Sequence, residues 1–409
     1  MPTVVVLGTL DTKGRELAYV RDVIREQGLD TLLVDAGVTD PAVEPDIPRQ
    51  EVGRAAGVDP DELARRRDRG AAVAAMARAA AATVRRLYDE GRLDAILCLG
   101  GSAGSSIGAA AMQQLPVGVP KLLVSTMASG DTRPYVGVKD VTLMYSVIDI
   151  SGLNRFSRLV LGNAARAVAG MAAGRAAAGE SGRAGEKPLI AATMFGVTTP
   201  CVTAAREYLE SRGYEVLVFH ATGSGGRAME GLVDDGLVGA VLDVTTTEWA
   251  DELVGGVLNA GPQRLEAAGR KGIPQVVSVG ALDMVNFGPP ETVPEKFRGR
   301  RFYPHNPTVT LMRTTPEECA ELGRILAEKL NRATGPTKVF LPLRGLSMID
   351  ADGQPFWDPE ADRALFDALR RHLRPEIERV ELDLHINDPE FALAMARALE
   401  SMLTPSPAG

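Results

Sequence analysis

Cysteine is scarce, with three in 409 residues, and Cys98, Cys201 and Cys319 are odd in number and far apart. That argues against a disulfide framework and for a reducing compartment. Aromatic residues make up only 5% of the chain, and no apolar run approaches the length that crosses a bilayer. The start, Met1-Pro-Thr-Val-Val-Val-Leu-Gly-Thr9, lacks a basic leader or cleavage site, so the expectation is a cytoplasmic protein with no membrane partner. Basic charge is not concentrated anywhere. The 45 Lys and Arg are scattered among 53 Asp and Glu, for a net charge of -8, and no electrostatic footprint for nucleic acid stands out. There are only four histidines, and none shows local metal-ligand spacing, so no metal site is assigned.

What the chain has in quantity is alanine, valine and glycine. Apolar residues reach 45%, a mix suited to helices lying close on buried parallel strands. The length exceeds one ordinary hydrophobic core, so two domains are expected. Sliding the sequence along itself supports this through a weak internal repeat. Val4-Val-Val-Leu-Gly-Thr9, a helical pattern and Leu29-Asp-Thr-Leu-Leu-Val-Asp35 lie opposite Leu189-Ile-Ala-Ala-Thr-Met194, a helical pattern and Tyr214-Glu-Val-Leu-Val-Phe-His220. Leu93–Leu99 then parallels Leu237–Asp243, and Gly118–Ser125 parallels Gly272–Val279. The reading is an α/β protein with mostly parallel sheets: an N-terminal domain over 1–178, a linker within the glycine-rich stretch 174–188, and a C-terminal domain over 187–405.

The first half carries an extra stretch, 38–70, rich in Pro, Asp and Arg and suited to covering a site, before an alanine-rich helix over 71–88. Near the end, Thr315, Asp358 and Asp388 each precede proline and glutamate and are expected to cap helices, while 338–343 and 380–386 read as strands.

In open α/β sheets, ligands bind beyond the carboxyl ends of strands. That rule selects Gly8, Thr9, Asp11, Thr12 and Lys13 after the first strand and Asp35 after the second. It selects Gly100, Gly101, Ser102, Gly104 and Ser105 after a middle strand, then Ser125, Thr126, Ser129, Gly130, Asp131 and Thr132. Glycines at 100, 101 and 104 let backbone N–H groups approach an anion at a helix start, and Lys13 would supply a fixed cation. Asp11 or Asp131 would hold a magnesium ion shared with phosphate. The loop is neither a phosphate-binding Gly-Lys-Ser/Thr sequence nor the dinucleotide fingerprint, and taken alone its glycines are equally explained by a tight turn.

Three strings, Gly8-Thr-Leu-Asp-Thr-Lys-Gly14, Gly100-Gly-Ser-Ala-Gly-Ser105 and Ser125-Thr-Met-Ala-Ser-Gly-Asp-Thr-Arg-Pro-Tyr-Val-Gly137, resemble the Tm-one-like ATP-binding protein family. The resemblance continues through Asp149-Ile-Ser-Gly-Leu-Asn154 to His385-Ile-Asn-Asp-Pro-Glu-Phe-Ala392. It implies two Rossmann-like domains, ATP bound in the first, and homodimers. It implies little about a reaction.

In the second half, Gly223, Gly225, Gly226 and Arg227 form another glycine-rich loop after a strand, a candidate anion site for a small metabolite, with Thr245, Glu248 and Asn306 at neighbouring strand ends. His220, His305 and His385, with Arg344, are the candidate catalytic groups, histidine being suited to general acid-base work near neutrality. His385 alternates with Glu381 and Asp383, which also fits a solvated strand face. Cys201 lies at a helix start but has no assignable base, and Cys98 reads as core. The leading expectation is ATP with magnesium in the first domain and an anionic carboxylate or sugar-acid metabolite in the second, in an ATP-dependent enzyme. The alternative is a nucleotide-dependent binding dimer without turnover, and a third reading places lyase or hydrolase chemistry in the second domain alone.

Overall fold

Runs such as Val4-Val-Val-Leu7 and Ala95-Ile-Leu-Cys-Leu99 are apolar on both faces, which suits only strands covered by helices on each side. The computed structural model, which describes residues 1–179 and 187–403, bears this out. The chain divides into two compact units, Met1–Ala184 and Gly185–Gly409. In the first, β1 (Thr3–Gly8), β2 (Asp30–Asp35), β3 (Ala95–Gly100), β4 (Lys121–Ser125) and β5 (Thr142–Tyr145) form a parallel sheet in the order β2-β1-β3-β4-β5. Alternation along β1 sends Val4 and Val6 toward the helices Leu10–Glu26 and Arg155–Ala178, and Val5 and Leu7 toward Arg69–Asp89 and Ser102–Met112.

The second unit repeats the arrangement. Strands β6 (Leu189–Met194), β7 (Glu215–His220), β8 (Ala240–Thr245) and β9 (Gln275–Gly280) reproduce the order of β1 to β4. Between β9 and the next sheet strand, β10 (Met284–Phe287), β11 (Phe302–Asn306) and β12 (Val309–Arg313) make a small antiparallel sheet. Strands β13 (Thr337–Pro342) and β14 (Glu378–Leu382) then complete a six-stranded parallel sheet, β14-β13-β9-β8-β6-β7. Both units are Rossmann-like.

Three local readings change. The helix Arg155–Ala178 runs through Gly174, so the start of the expected linker is helical; 180–186, like 404–405 at the expected domain end, lie outside the described residues. Thr315 and Asp358 cap their helices as expected, accepting from Glu318 and Ala361 N–H. Asp388 instead turns back and accepts from His385 N–H at 2.8 Å. Strand β14 ends at Leu382, so His385 is half-buried in a turn and not on a solvated strand face.

Candidate functional site

The carboxyl rim of the first sheet is built from three turns. After β1 the helix begins at Leu10, and Gly8 lets the end of the Leu17 side chain pack close, a Cβ there lying 2.7 Å from Leu17 Cδ1. Thr9 and Thr12 hydroxyls meet at 2.8 Å. Asp11 Oδ2 accepts from Val38 N–H, Thr39 N–H and the Thr39 hydroxyl at 3.1, 3.2 and 3.0 Å. After β2, the fully buried Asp35 accepts through Oδ1 from Leu10 N–H at 3.1 Å and Gly37 N–H at 2.8 Å. Burial raises the Asp35 carboxyl above its ordinary range, and the Asp11 charge adds to the effect. Asp11 Oδ1 and Asp35 Oδ2 are buried and have no hydrogen-bond partner among the described residues.

The turn after β3 is glycine-rich for packing as well as for access. A Cβ on Gly100 would lie 2.7 Å from Gly104 Cα, and one on Gly104 3.2 Å from Leu99 O. Ser105 and Ser125, both buried, share a 2.6 Å bond; Ser105 donates to Gly100 O, and Ser125 accepts from Met127 N–H. Their hydroxyls thus tie β3 to β4. Gly101 precedes the helix Ser102–Met112 without a side-chain cap, which leaves the first-turn N–H groups of Ser102, Ala103 and Gly104 without intrahelical acceptors.

A cavity of about 430 Å³ joins two of these turns. Thr9, Asp11, Thr12 and Gly37 line it on the sheet side, with Ala103 and Ile107 from the helix after β3. Leu63 and Ala64, then Arg67, Asp68 and Arg69, and finally Ala72, Val73 and Met76 supply the remaining wall, so the extra stretch 38–70 does border this space. Lys13 does not line it. Its backbone departs from helical geometry, and its Nζ donates to the Ile150 carbonyl, so it does not serve the glycine turn. Ser129, Gly130, Asp131 and Thr132 belong to a largely exposed turn, where Arg133 holds the Asp131 carboxyl down to about 2.

In the second unit the glycine loop after β7 does bind an anion, and that anion is the chain's own. Glu248, 1% exposed, accepts through Oε1 from Gly223 N–H at 2.7 Å and Gly226 N–H at 3.0 Å. Its Oε2 accepts from Arg264 Nε at 2.7 Å. A Cβ on Gly226 would lie 2.0 Å from that oxygen, so the glycine makes room for the carboxylate. Arg264 also grips Asp243 in a two-pronged pair at 2.5 and 2.7 Å and reaches Glu230 at 3.3 Å. Thr245 is buried and bonded to Thr193 and Thr198. The expectation that this loop is open to a metabolite is therefore corrected: Glu248 fills it, while Arg227 bends back to Gly223 O.

The candidate catalytic residues have separate partners. His220 is exposed and stacks on Phe195 with ring centroids 5.4 Å apart. His305 is exposed on β11, where Asn306 accepts from Thr308 in a turn. Arg344 forms an exposed pair with Asp383. His385 is fixed by two backbone contacts: Nδ1 accepts from Asn387 N–H at 3.1 Å, which leaves the proton on Nε2 to be donated to Ser347 O at 2.9 Å. No group of three or more potential ligands able to hold a metal occurs among the described residues. Cys98, Cys201 and Cys319 are free and buried, and burial raises all three thiols.

A second buried cluster in this unit joins Asp283 and Arg313, which the sheet-edge rule also selects from the sequence, to Asp350 and Asp362, which it does not. Arg313 bonds Asp362 Oδ1 at 2.6 Å and lies 3.6 Å from Asp350, while Asp283 accepts from the Ser347 hydroxyl at 2.8 Å. Burial pushes Asp283 up to about 7 and Asp362 up to about 8, with Asp350 raised as well.

The two units coincide with two family models, the N-terminal domain of the uncharacterised protein family UPF0261 over residues 2–177 and its C-terminal domain over 187–403. The chain belongs to the UPF0261 family. A UPF0261 protein of Clostridium tetani is 55% identical over 98% of both chains. The ToMV resistance protein Tm-1 of Solanum lycopersicum is 42% identical over 99% of this chain, which spans 56% of that longer protein, so Tm-1-like relatives are established. Among solved structures, a UDP-GlcNAc 2-epimerase of Methanocaldococcus jannaschii is similar over 99% of this chain and 94% of its own, at 10% identity and a TM-score of 0.22, too low to carry any argument.

For this UPF0261 protein, sequence reasoning missed Arg264 and the cavity wall of Leu63, Val73, Met76 and Ile107. Leu63, Val73 and Met76 had a signal, an apolar helical spacing within and just after the inserted stretch. Arg264 had none, since a lone arginine in a loop looks solvated until a fold buries it.

Proposed function

We propose that the UPF0261 protein binds ATP, accompanied by magnesium, in the cavity at the rim of its first sheet. The observation that carries this is the make-up of that one cavity: an apolar wall suited to a base, the acidic Asp11 and Gly37 turn, and a helix start whose amides suit phosphate. Magnesium keeps most of its waters and binds chiefly through phosphate oxygens, so no dedicated protein cage is needed.

For the second unit, a role in transforming an anionic carboxylate or sugar acid competes with nucleotide-dependent binding by a homodimer without turnover. Glu248 in the 223–226 loop favours the second reading, because the site best suited to a free anion is already filled. Calorimetry with ATP and magnesium tests the nucleotide. Heat of saturable binding is expected, and its absence with every adenine nucleotide sinks the reading. Incubation with ATP and candidate acids, scored for ADP, separates the two roles, and steady release with any one acid would reverse the preference.

A further inference from the structure

We infer that the second unit carries a binding site for an α-amino acid whose apolar side chain ends in a hydroxyl, tyrosine being the type, in a cavity between its small antiparallel sheet and the segment 290–298. The inference is independent of the nucleotide reading and rests on a different cavity, of about 560 Å³. Thr310 lies in the central strand β12, between Phe287 of β10 and Pro304 of β11, and alternation puts it on the same face as Met312 of the apolar core. Thr310 is 3% exposed and lines the cavity, yet its hydroxyl has no hydrogen-bond partner among the described residues. A buried hydroxyl left without a partner is costly, and valine would occupy the same place in a strand without that cost. A ligand that brings a polar tip to the cavity floor accounts for the hydroxyl.

The walls and the mouth restrict the rest of that ligand. Pro290, Pro294, Pro304 and Phe302 line the sides, and the three prolines offer no N–H, so the walls suit an apolar body. Phe297, buried and with its ring centroid 5.4 Å from that of Phe287, pins the segment beside the cavity. At the mouth stand Glu295 and Arg298, both largely exposed, with carboxylate and guanidinium 3.2 Å apart. An exposed pair of this kind contributes little to stability, so it exchanges for other partners at small cost. Its two opposite charges side by side match the ammonium and carboxylate that an α-amino acid carries on one carbon. A simple acid meets the like charge of Glu295, and a simple amine that of Arg298.

Titration calorimetry of the full-length protein with L-tyrosine, L-phenylalanine, tyramine and p-hydroxyphenylpropionate tests this. Tyrosine is expected to bind saturably, at least about threefold more tightly than phenylalanine, which lacks the tip, and than the other two, which each lack one charge. Thr310→Val should erase the preference for tyrosine over phenylalanine, and Thr310→Ser, which keeps a hydroxyl, should retain it. Arg298→Gln, at an exposed position that folding does not depend on, should erase the preference over tyramine. Absence of saturable heat with millimolar tyrosine overturns the inference. Equal binding of tyrosine and phenylalanine by the unmodified protein overturns it as well, and so do affinities that neither Thr310→Val nor Arg298→Gln changes, since tyrosine then sits elsewhere. Each of these failures leaves ATP binding in the first unit standing.

Discussion

At the scale of single residues, the second unit shows how a correct chemical reading can attach to the wrong ligand. The Gly223 to Gly226 loop has the composition of an anion seat and is one, but the anion comes from Glu248, whose distance in sequence conceals their contact. A sequence cannot distinguish a free carboxylate from one the fold will deliver. Truncating Glu248 to alanine leaves two buried amides and part of Arg264 without a partner. It should lower unfolding free energy by about 3 to 5 kcal/mol, measured by urea titration. Arg344→Ala removes only an exposed pair with Asp383 and should cost less than about 1 kcal/mol in the same assay.

At the scale of elements, most of the parallel strands were legible because buried strands announce themselves as unbroken apolar runs, whereas their order within each sheet came only with the fold. The antiparallel trio β10 to β12 was not, since its strands are short and prolines at 289, 290, 294 and 304 interrupt the pattern. The rim loops were legible as a group, but their uses differ. Ser105 and Ser125 serve cohesion, Asp131 serves Arg133, and Thr9, Asp11 and Thr12 face the cavity. The cluster around Arg313 links β12 and the turn holding Asp350 to the helix Pro359–His372, and its acids make that junction sensitive to pH. Asp283 and Asp362, raised to about 7 and about 8, hold protons in the folded state that the unfolded chain releases near pH 4. Their contribution is therefore full below the unfolded value and is lost as pH rises through the folded ones. Urea midpoints should fall as pH rises from about 4 to about 8, and Asp283→Asn should flatten that fall. A midpoint rising across the window would contradict the assignment.

At the scale of the whole molecule, each unit has its own sheet, with helices on both faces and separate apolar clusters. A fragment ending at residue 179 is expected to unfold cooperatively and to retain nucleotide binding, checked by thermal melting and calorimetry. Among the described residues no helix is long and apolar enough to cross a membrane. The repeat between the units was visible in sequence because the same four apolar runs recur in the same succession, whereas the use each unit makes of its rim diverged. The first keeps a hollow there, and the second has closed its glycine loop over a carboxylate.

That closure means the second unit carries a small-acid receptor whose guest is covalently tethered. Cutting the tether, as in Glu248→Ala, vacates the seat but leaves its amides and guanidinium in place. Millimolar formate or acetate should then restore part of the lost stability where equimolar chloride does not, turning a structural brace into a chemically rescuable one.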